Sequence, residues 1–323
     1  MEARIFVQIA SYRDPQLGAT VRDLIAKALH PERLHIGICC QVDPSDDAVC
    51  GPAGLPAAWD LRGATLSLDL VAAQQSGGVC WARARTQRFW REEAFTLQID
   101  SHMRFAQGWD GEMLASWMRC GDPRAVLSVY PNAFELPDRC DTAMLPLMGA
   151  HRFDEQGILR LQGVNTFAHP EAIPSAPLPS AFVAAGLLFG PGELIEAVPY
   201  DPELYFYGEE ISLALRLWTR GFNLYNPDRL LIFHLYKAAD THNTTHWADH
   251  ADWSERNQRS IQRVLQLLRG DLRTQPFGLG EARSLQQYQQ WSGIDFSNRT
   301  ISAGALAGRF SPAPPASGAT TAS

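Results

Sequence analysis

Two runs of apolar residues constrain this chain most. Residues 4–10, RIFVQIA, and 34–42, LHIGICCQV, carry almost no polar interruption. A strand with one wet face alternates, whereas an uninterrupted run belongs to a strand buried on both faces, as in a parallel sheet. Between the two runs, Leu17, Val21, Leu24, Ile25, Ala28 and Leu29 recur at helical spacing behind a turn that carries Pro15. Strand, helix and strand in that order open a βαβ unit. The fold class is therefore α/β.

The pattern continues. Residues 65–71 and 94–100 read as strands, 81–92 and 110–119 as helices, and 125–130 as a further strand. The stretch 131–180 is rich in Pro with short strands, and 177–191 is an apolar run containing glycine. A helix over 209–220 ends at Gly221, a strand over 229–234 ends at His234, and a helix over 254–269 follows. From Ser311 the chain holds only Ser, Pro, Ala, Thr and Gly, which predicts a tail without fixed structure.

Charge removes whole classes of function. The 323 residues hold 28 Lys and Arg against 35 Asp and Glu, a net charge of −7. A nucleic-acid partner calls for a basic face, so none is expected. No run approaches the 18 apolar residues of a membrane span. The opening MEARIFVQIASYRD lacks the long apolar region and cleavage site of an export signal. These features predict a cytoplasmic protein whose six cysteines, none in a Cys-x-x-Cys pair, are reduced thiols.

Ligands of open α/β sheets bind at the carboxyl ends of strands. Three polar clusters stand at such ends: Ser11-Tyr12-Arg13-Asp14, Gln41 to Asp47, and Asp100-Ser101-His102. Asp100 and His102 can converge on one ion if the chain leaves the strand there. A carboxylate with an imidazole suits Mn²⁺ better than Ca²⁺. The same residues also suit a turn cap and an exposed histidine. Glu209 and Glu210, in the first turn of a helix after Tyr205, Phe206 and Tyr207, read as dipole-favoured caps or as a binding site for sugar hydroxyls. Arg83 and Arg85 offer either a grip on a diphosphate or a solvated helix face. His242, His246 and His250, four apart, read as a zinc site or as a polar mobile loop. Phosphate-loop, dinucleotide and hydrolase-elbow strings are absent.

Taken together, IFVQIASYRD, ICCQ, WARA, LQIDSHMRFAQGWD, FVAAGLLFG, VPYDPELYFYGEEISLALRLWTRGFNLYNP, FHLY and GLGEARSLQQYQQWSGIDF follow one another in an order that resembles the GlcNAc-transferase family. Its members include the cytoplasmic enzymes that attach GlcNAc to hydroxyproline, and many bacterial proteins. The resemblance spans residues 4–296. It implies a GT-A glycosyltransferase fold, a Rossmann-like mixed sheet flanked by helices. One domain over 1–296 is expected, with a nucleotide-binding half at 1–130 and an acceptor and metal half at 131–296, followed by the tail 297–323.

The resemblance also implies roles. Asp100, His102 and His234 form a metal triad for Mn²⁺ or Mg²⁺, as in polypeptide GalNAc-transferases, where a later His joins an Asp-x-His pair. Glu209 is the sugar-site carboxylate, with Glu210 beside it as a second catalytic candidate. Ser11, Tyr12 and Arg13 meet the nucleoside, and Gln41 and Asp43 extend that contact. Arg83 and Arg85 face the diphosphate, while Ser101 and Gly186 complete the donor site. The implied reaction moves GlcNAc from UDP-GlcNAc to a hydroxyl of a protein or saccharide, with retention at the anomeric carbon. Residues 237–253 would be a lid over the donor. The alternatives are another UDP-sugar donor in surface-polysaccharide assembly, a silent sugar-binding protein of the same fold, and a hydrolase using two carboxylates.

Overall fold

The computed structural model describes residues 3–43, 59–142, 144–167, 173–236, 244–272 and 276–316. It opens with β1 (Ile5–Tyr12), α1 (Leu17–Lys27) and β2 (Leu34–Val42), and β1 runs parallel to β2 from Ile5 opposite Leu34 to Tyr12 opposite Gln41. The lack of alternation has its expected cause. Ile5, Val7 and Ile9 share one core with Leu17, Val21 and Leu24 of α1. Phe6 belongs to a second core with Cys80 and Ala214.

The chain continues through β3 (Thr65–Ala72), α2 (Val79–Thr86), β4 (Phe95–Asp100), β5 (Met103–Phe105), α3 (Trp109–Arg119) and β6 (Ala125–Ser128). Short strands follow: β7 (Asn132–Glu135), β8 (Arg139–Cys140), the hairpin β9 (Leu145–Phe153) and β10 (Leu159–Phe167), β11 (Leu178–Ser180) and β12 (Leu187–Pro191). Then come α4 (Glu209–Thr219), β13 (Asn223–Asn226), β14 (Ile232–His234), α5 (Trp253–Arg269) and α6 (Leu285–Ser292).

Eight strands form one mixed sheet in the order β11-β13-β6-β12-β4-β1-β2-β3. Strands β4, β1, β2 and β3 are parallel, and β12 is antiparallel to both β4 and β6. Parallel strands end on one edge, so Tyr12, Val42 and Asp100 come out together. A smaller sheet, β5-β14-β7-β8, begins after the two-residue turn Ser101-His102 that follows β4. Within it β14 lies antiparallel to β5 with His234 opposite Met103. That register delivers a histidine from far along the chain to the turn that carries His102.

Helix α4 shows how buried this scaffold is. Every residue from Ile211 to Thr219 is buried, and the Trp218 ring meets Tyr288 edge-on at 5.3 Å and Trp291 stacked at 5.5 Å. The helix expected over 81–92 is shorter: α2 ends at Thr86, and a 3-10 turn covers Gln87–Phe89. The cause lies just beyond, where the buried Glu93 side chain accepts from Arg91 N at 2.7 Å and meets His35 Nδ1 at 2.6 Å, directing the chain into β4. Ser311, where the sequence starts the unstructured tail, has its carbonyl accepting from Trp291 Nε1, and Ala313 packs on the main core. Residues 317–323 lie outside the described residues.

Asp110, 3% exposed at the start of α3, accepts from Leu29 N at 2.6 Å and His30 N at 2.9 Å beyond the end of α1. Asp110→Ala strips both donors of their partner and should lower stability by roughly 2–3 kcal/mol. Urea unfolding measures this, and a loss below about 0.5 kcal/mol would show that water replaces the carboxylate.

Candidate functional site

At the carboxyl edge of the sheet opens a cavity of about 610 Å³. Asp100, His102 and His234 form one wall, and each offers a ligand atom within 4.8 Å of the others. His102 Nε2 lies 3.1 Å from His234 Nε2, which lies 3.4 Å from Asp100 Oδ2. Three elements supply these groups: the end of β4, the turn into β5, and the end of β14. The sequence expectation had named all three.

The rest of the wall explains why the ligand atoms face one another. Asp100 Oδ1 accepts from Arg83 Nη2 at 2.9 Å, which leaves Oδ2 turned to the histidines. His102 Nδ1 lies 2.6 Å from Asp14 Oδ2, which leaves Nε2 turned the same way. A Cβ on Gly186 would come within 2.8 Å of Asp100 Oδ2, so only glycine leaves room for this carboxylate. The buried His234 Nδ1 meets no hydrogen-bond partner among the described residues. Two imidazole nitrogens 3.1 Å apart beside a carboxylate oxygen fit a borderline divalent cation, which satisfies all three lone pairs at once.

Electrostatics follow the geometry. Burial alone would raise Asp100, but the His234 hydrogen bond and the Arg83 charge outweigh it and hold the carboxyl well below the usual range. Asp14 behaves likewise: burial raises it, and the hydrogen bond and charge of His102, with the bonds from Ser101 and Gln16 N, together more than reverse that. His102 is the counterpart. Burial lowers it, and the Asp14 hydrogen bond with the charges of Asp14 and Asp100 together outweigh that, so the imidazole is raised.

Several of the expected site residues are bonded to one another or to other protein groups. Arg83 is 3% exposed, and its terminal nitrogens are spent on two carboxylates: Nη1 donates to both oxygens of Glu209 at 2.9 Å, and Nη2 donates to Asp100. It braces the wall of the cavity that it also lines. Arg85 points away, paired with Asp69 at 2.5 and 2.9 Å and set over the Trp81 ring. Helical spacing explains the split, since two residues apart on a helix cannot share a face. Glu209 also accepts from the Cys80 thiol at 2.7 Å, so its charge is consumed within the wall. Ser101 turns its hydroxyl to Asp14 Oδ2 at 2.6 Å instead of to the cavity.

The nucleoside side is also rearranged. Ser11 is fully buried, and its hydroxyl meets no partner among the described residues. The Gln41 amide is pinned at both ends, donating to Ser11 O at 2.9 Å and accepting from Ser76 Oγ at 2.5 Å. Asp43 accepts from Gln74 Nε2 at 2.5 Å. Tyr12 does reach the cavity, and it also lines an adjoining slot of about 120 Å³ with Gln41, Gly78, Tyr205 and His246. Its hydroxyl and Arg13 Nη1 both donate to Asp249 Oδ2, at 2.6 and 2.9 Å.

Asp249 belongs to the short helical turn His246–Asp249. Of the expected lid, 237–243 lie outside the described residues, and His242 with them. The described part is well tied down. His246 bonds Tyr205 OH at 2.7 Å and Ser76 Oγ at 2.9 Å, and His250 bonds Ala73 O at 3.1 Å. Their rings stack at 3.9 Å, and burial, aided by the neighbouring His250, pushes His246 down to about 4. With its nitrogens committed to protein groups, His246 does not serve the zinc alternative.

Glu210 is a further carboxyl of the cavity, beside Asp14, Asp100 and Glu209. It accepts from Tyr130 OH at 2.5 Å and from Ala185 N at 2.9 Å. Burial pushes it up to about 7. The sequence reading passed over Asp14, Tyr130 and Cys80. Only Asp14 had a signal, its place in the polar cluster after the first strand; nothing local marks a residue whose partner lies 88 positions away.

The fold is of the GT-A glycosyltransferase type. GalNAc-T7, solved with UDP, GalNAc and Mn²⁺, matches with a TM-score of 0.56 at 14% identity, over 89% of this chain and 54% of its own. The chain thus spans about half the length of the GalNAc-T7 chain it matches. Staphylococcus aureus TarS 1–349, solved with UDP-GlcNAc, gives a TM-score of 0.46 at 10% identity, over 90% and 79% of the two chains. No curated protein matches by sequence. The family model described as Glycosyltransferase (GlcNAc) matches residues 4–58 and 54–298, and the chain belongs to that family.

Because folded Glu210 holds its proton up to about pH 7, the folded state binds more protons than the unfolded state between the ordinary carboxyl range and that point. Stability from this group is therefore lost as pH rises through the window. Glu210→Gln removes the titration, so from pH 5 to pH 8 it should gain roughly 2 kcal/mol relative to wild type. Urea midpoints of both proteins at the two pH values test this; a constant difference would mean that Glu210 ionises normally.

Proposed function

We propose that this protein transfers N-acetylglucosamine from UDP-GlcNAc to a hydroxyl acceptor, on a divalent metal held by Asp100, His102 and His234. The observation that carries the reading is the convergence of Asp100 Oδ2 and the two Nε2 atoms in the cavity wall of a chain from the GlcNAc family. GalNAc-T7, of the same fold, was solved with UDP and Mn²⁺, and that supports a nucleotide diphosphate and such a metal here. Mn²⁺ suits the donor set, with Mg²⁺ as the substitute. When bound, the metal supplies positive charge against the negative charge that develops on the departing UDP.

The chain's own residues do the rest. Asp100 enters ionised, and Arg83 keeps one of its oxygens fixed. Glu209 holds Arg83 in place and so acts through it, as a positioning group. Glu210, on the side of the cavity with Tyr130 and Tyr236, accepts hydrogen bonds from sugar hydroxyls and has a protonation state that changes near neutral pH. Tyr12 and the slot beside it take the nucleoside. Phe206, Tyr207, Tyr236 and Trp247 are 40–47% exposed and stand around the same cavity, where they shield the reaction from water.

No helix among the described residues is long and apolar enough to cross a membrane. Five described cysteines are free. Those free thiols accord with our placing the reaction in the cytoplasm.

Calorimetry with UDP tests the central claim. Affinity should fall at least about tenfold when chelator removes the metal, and by a similar factor in Asp100→Ala and His234→Ala, the scale of losing a charge-neutralising ligand. Equal UDP affinity under all of these conditions would refute the metal site.

A further inference from the structure

We propose that Asp14 is a positioning residue for metal binding: its carboxylate fixes the His102 ring and its proton, so that Nε2 is the bare nitrogen presented to the cation. This rests on the metal reading above and extends it to a residue that touches neither metal nor substrate.

The geometry admits little else. Asp14 is 4% exposed, at the end of the β1 segment, and three donors converge on it. Gln16 N donates to Oδ1 at 2.8 Å, while Ser101 Oγ at 2.6 Å and His102 Nδ1 at 2.6 Å both meet Oδ2. An ionised carboxylate only accepts. The proton of a neutral His102 must therefore sit on Nδ1, and Nε2 keeps its lone pair. That atom is the one 3.1 Å from His234 Nε2, on the cavity side. Ser101, the residue before His102, donates to the same oxygen and so fixes the Asp14 rotamer. A metal-bound histidine needs its far nitrogen tied in this way to hold its tautomer and orientation.

The carboxylate's own setting explains why an aspartate stands here. Oδ1 is committed to the Gln16 amide just before α1, so the carboxyl plane cannot rotate. An asparagine in this place would keep its oxygen on Gln16 N and turn its amide nitrogen to His102. That amide donates, which forces Nδ1 to accept and moves the imidazole proton to Nε2. The ligand atom would then be blocked with no change in shape. Asp14→Asn is thus a test of proton placement, and Ser101→Ala a test of rotamer support with the carboxylate intact.

Two measurements decide it. First, Mn²⁺ affinity in the presence of saturating UDP, read by electron paramagnetic resonance, should fall about 10- to 100-fold in Asp14→Asn. It should fall only a few-fold in Ser101→Ala. Thermal melting without metal shows whether the variants are folded. Second, wild type with Mg²⁺ and UDP should show His102 protonated on Nδ1 and bare on Nε2 by nitrogen-15 NMR, a readout that needs no variant. Wild-type Mn²⁺ affinity in a folded Asp14→Asn, or a proton on Nε2 of His102 in the wild-type complex, would overturn the proposal. If wild type itself binds UDP equally with and without metal, it is the metal reading that fails, and the NMR arm still reports whether Asp14 sets the tautomer.

Discussion

The Arg83 guanidinium holds the cavity wall together. It is a charge taken almost wholly out of water, and such a charge survives only when paired and hydrogen-bonded. Its two arms meet carboxylates from different parts of the chain, Glu209 at the start of α4 and Asp100 at the end of β4. Arg83 itself comes from α2. Three elements that share no backbone hydrogen bonds are thereby fixed at one point, under a cavity where water would otherwise enter. The Tyr200 ring, 5.5 Å from the guanidinium carbon, closes the remaining side. Burial would lower Arg83, and the charges of Glu209, Asp100 and the other groups around it together more than offset that, so the guanidinium stays charged.

That brace also explains which atom of each ligand faces the cavity. A free aspartate could present either oxygen. Here Oδ1 belongs to Arg83, and the missing side chain at Gly186 gives Oδ2 its space. His102 is restrained from behind by Asp14 in the same manner. The result is a preorganised set of three groups, which is what the proposed metal site requires.

Much of this was legible in the sequence for a physical reason. The runs 4–10 and 34–42 have one use, in a strand covered on both faces, and they became β1 and β2 with the expected parallel pairing. Asp100 and His102 were legible because a strand end followed by a polar turn is where α/β sheets place ligands. His234 was legible only through the family's motif order, since its approach depends on the register of β14 on β5. What the sequence left open shares one cause. Arg83, Glu209, Gln41 and Ser101 were read as groups facing a ligand; they line the cavity or its slot, and each is also bonded to another protein group. A single sequence shows that a polar residue is near the site, and it does not show which way the residue is satisfied. Cys80 donating to Glu209 and Asp14 backing His102 are pairings across 129 and 88 positions, with no local signature at all.

Asp100 and Glu210 illustrate how one pocket gives like groups unlike charges. Asp100 and Glu210 are both removed from water, which by itself favours the neutral acid in each. Asp100 has a cation at 2.9 Å and two imidazoles beside it, and it ionises. Glu210 has a neutral phenol and a backbone amide, and its more distant cation is claimed by Glu209. Those partners recover only part of what burial costs, so its proton remains until near neutral pH. The same Arg83 charge thus divides the cavity into a wall where Asp100 is held ionised and a wall where Glu210 keeps its proton until near neutral pH. Pairs of carboxyls pushed apart in this way define separate tasks within one site. The separation here follows from which carboxyls the buried guanidinium can reach.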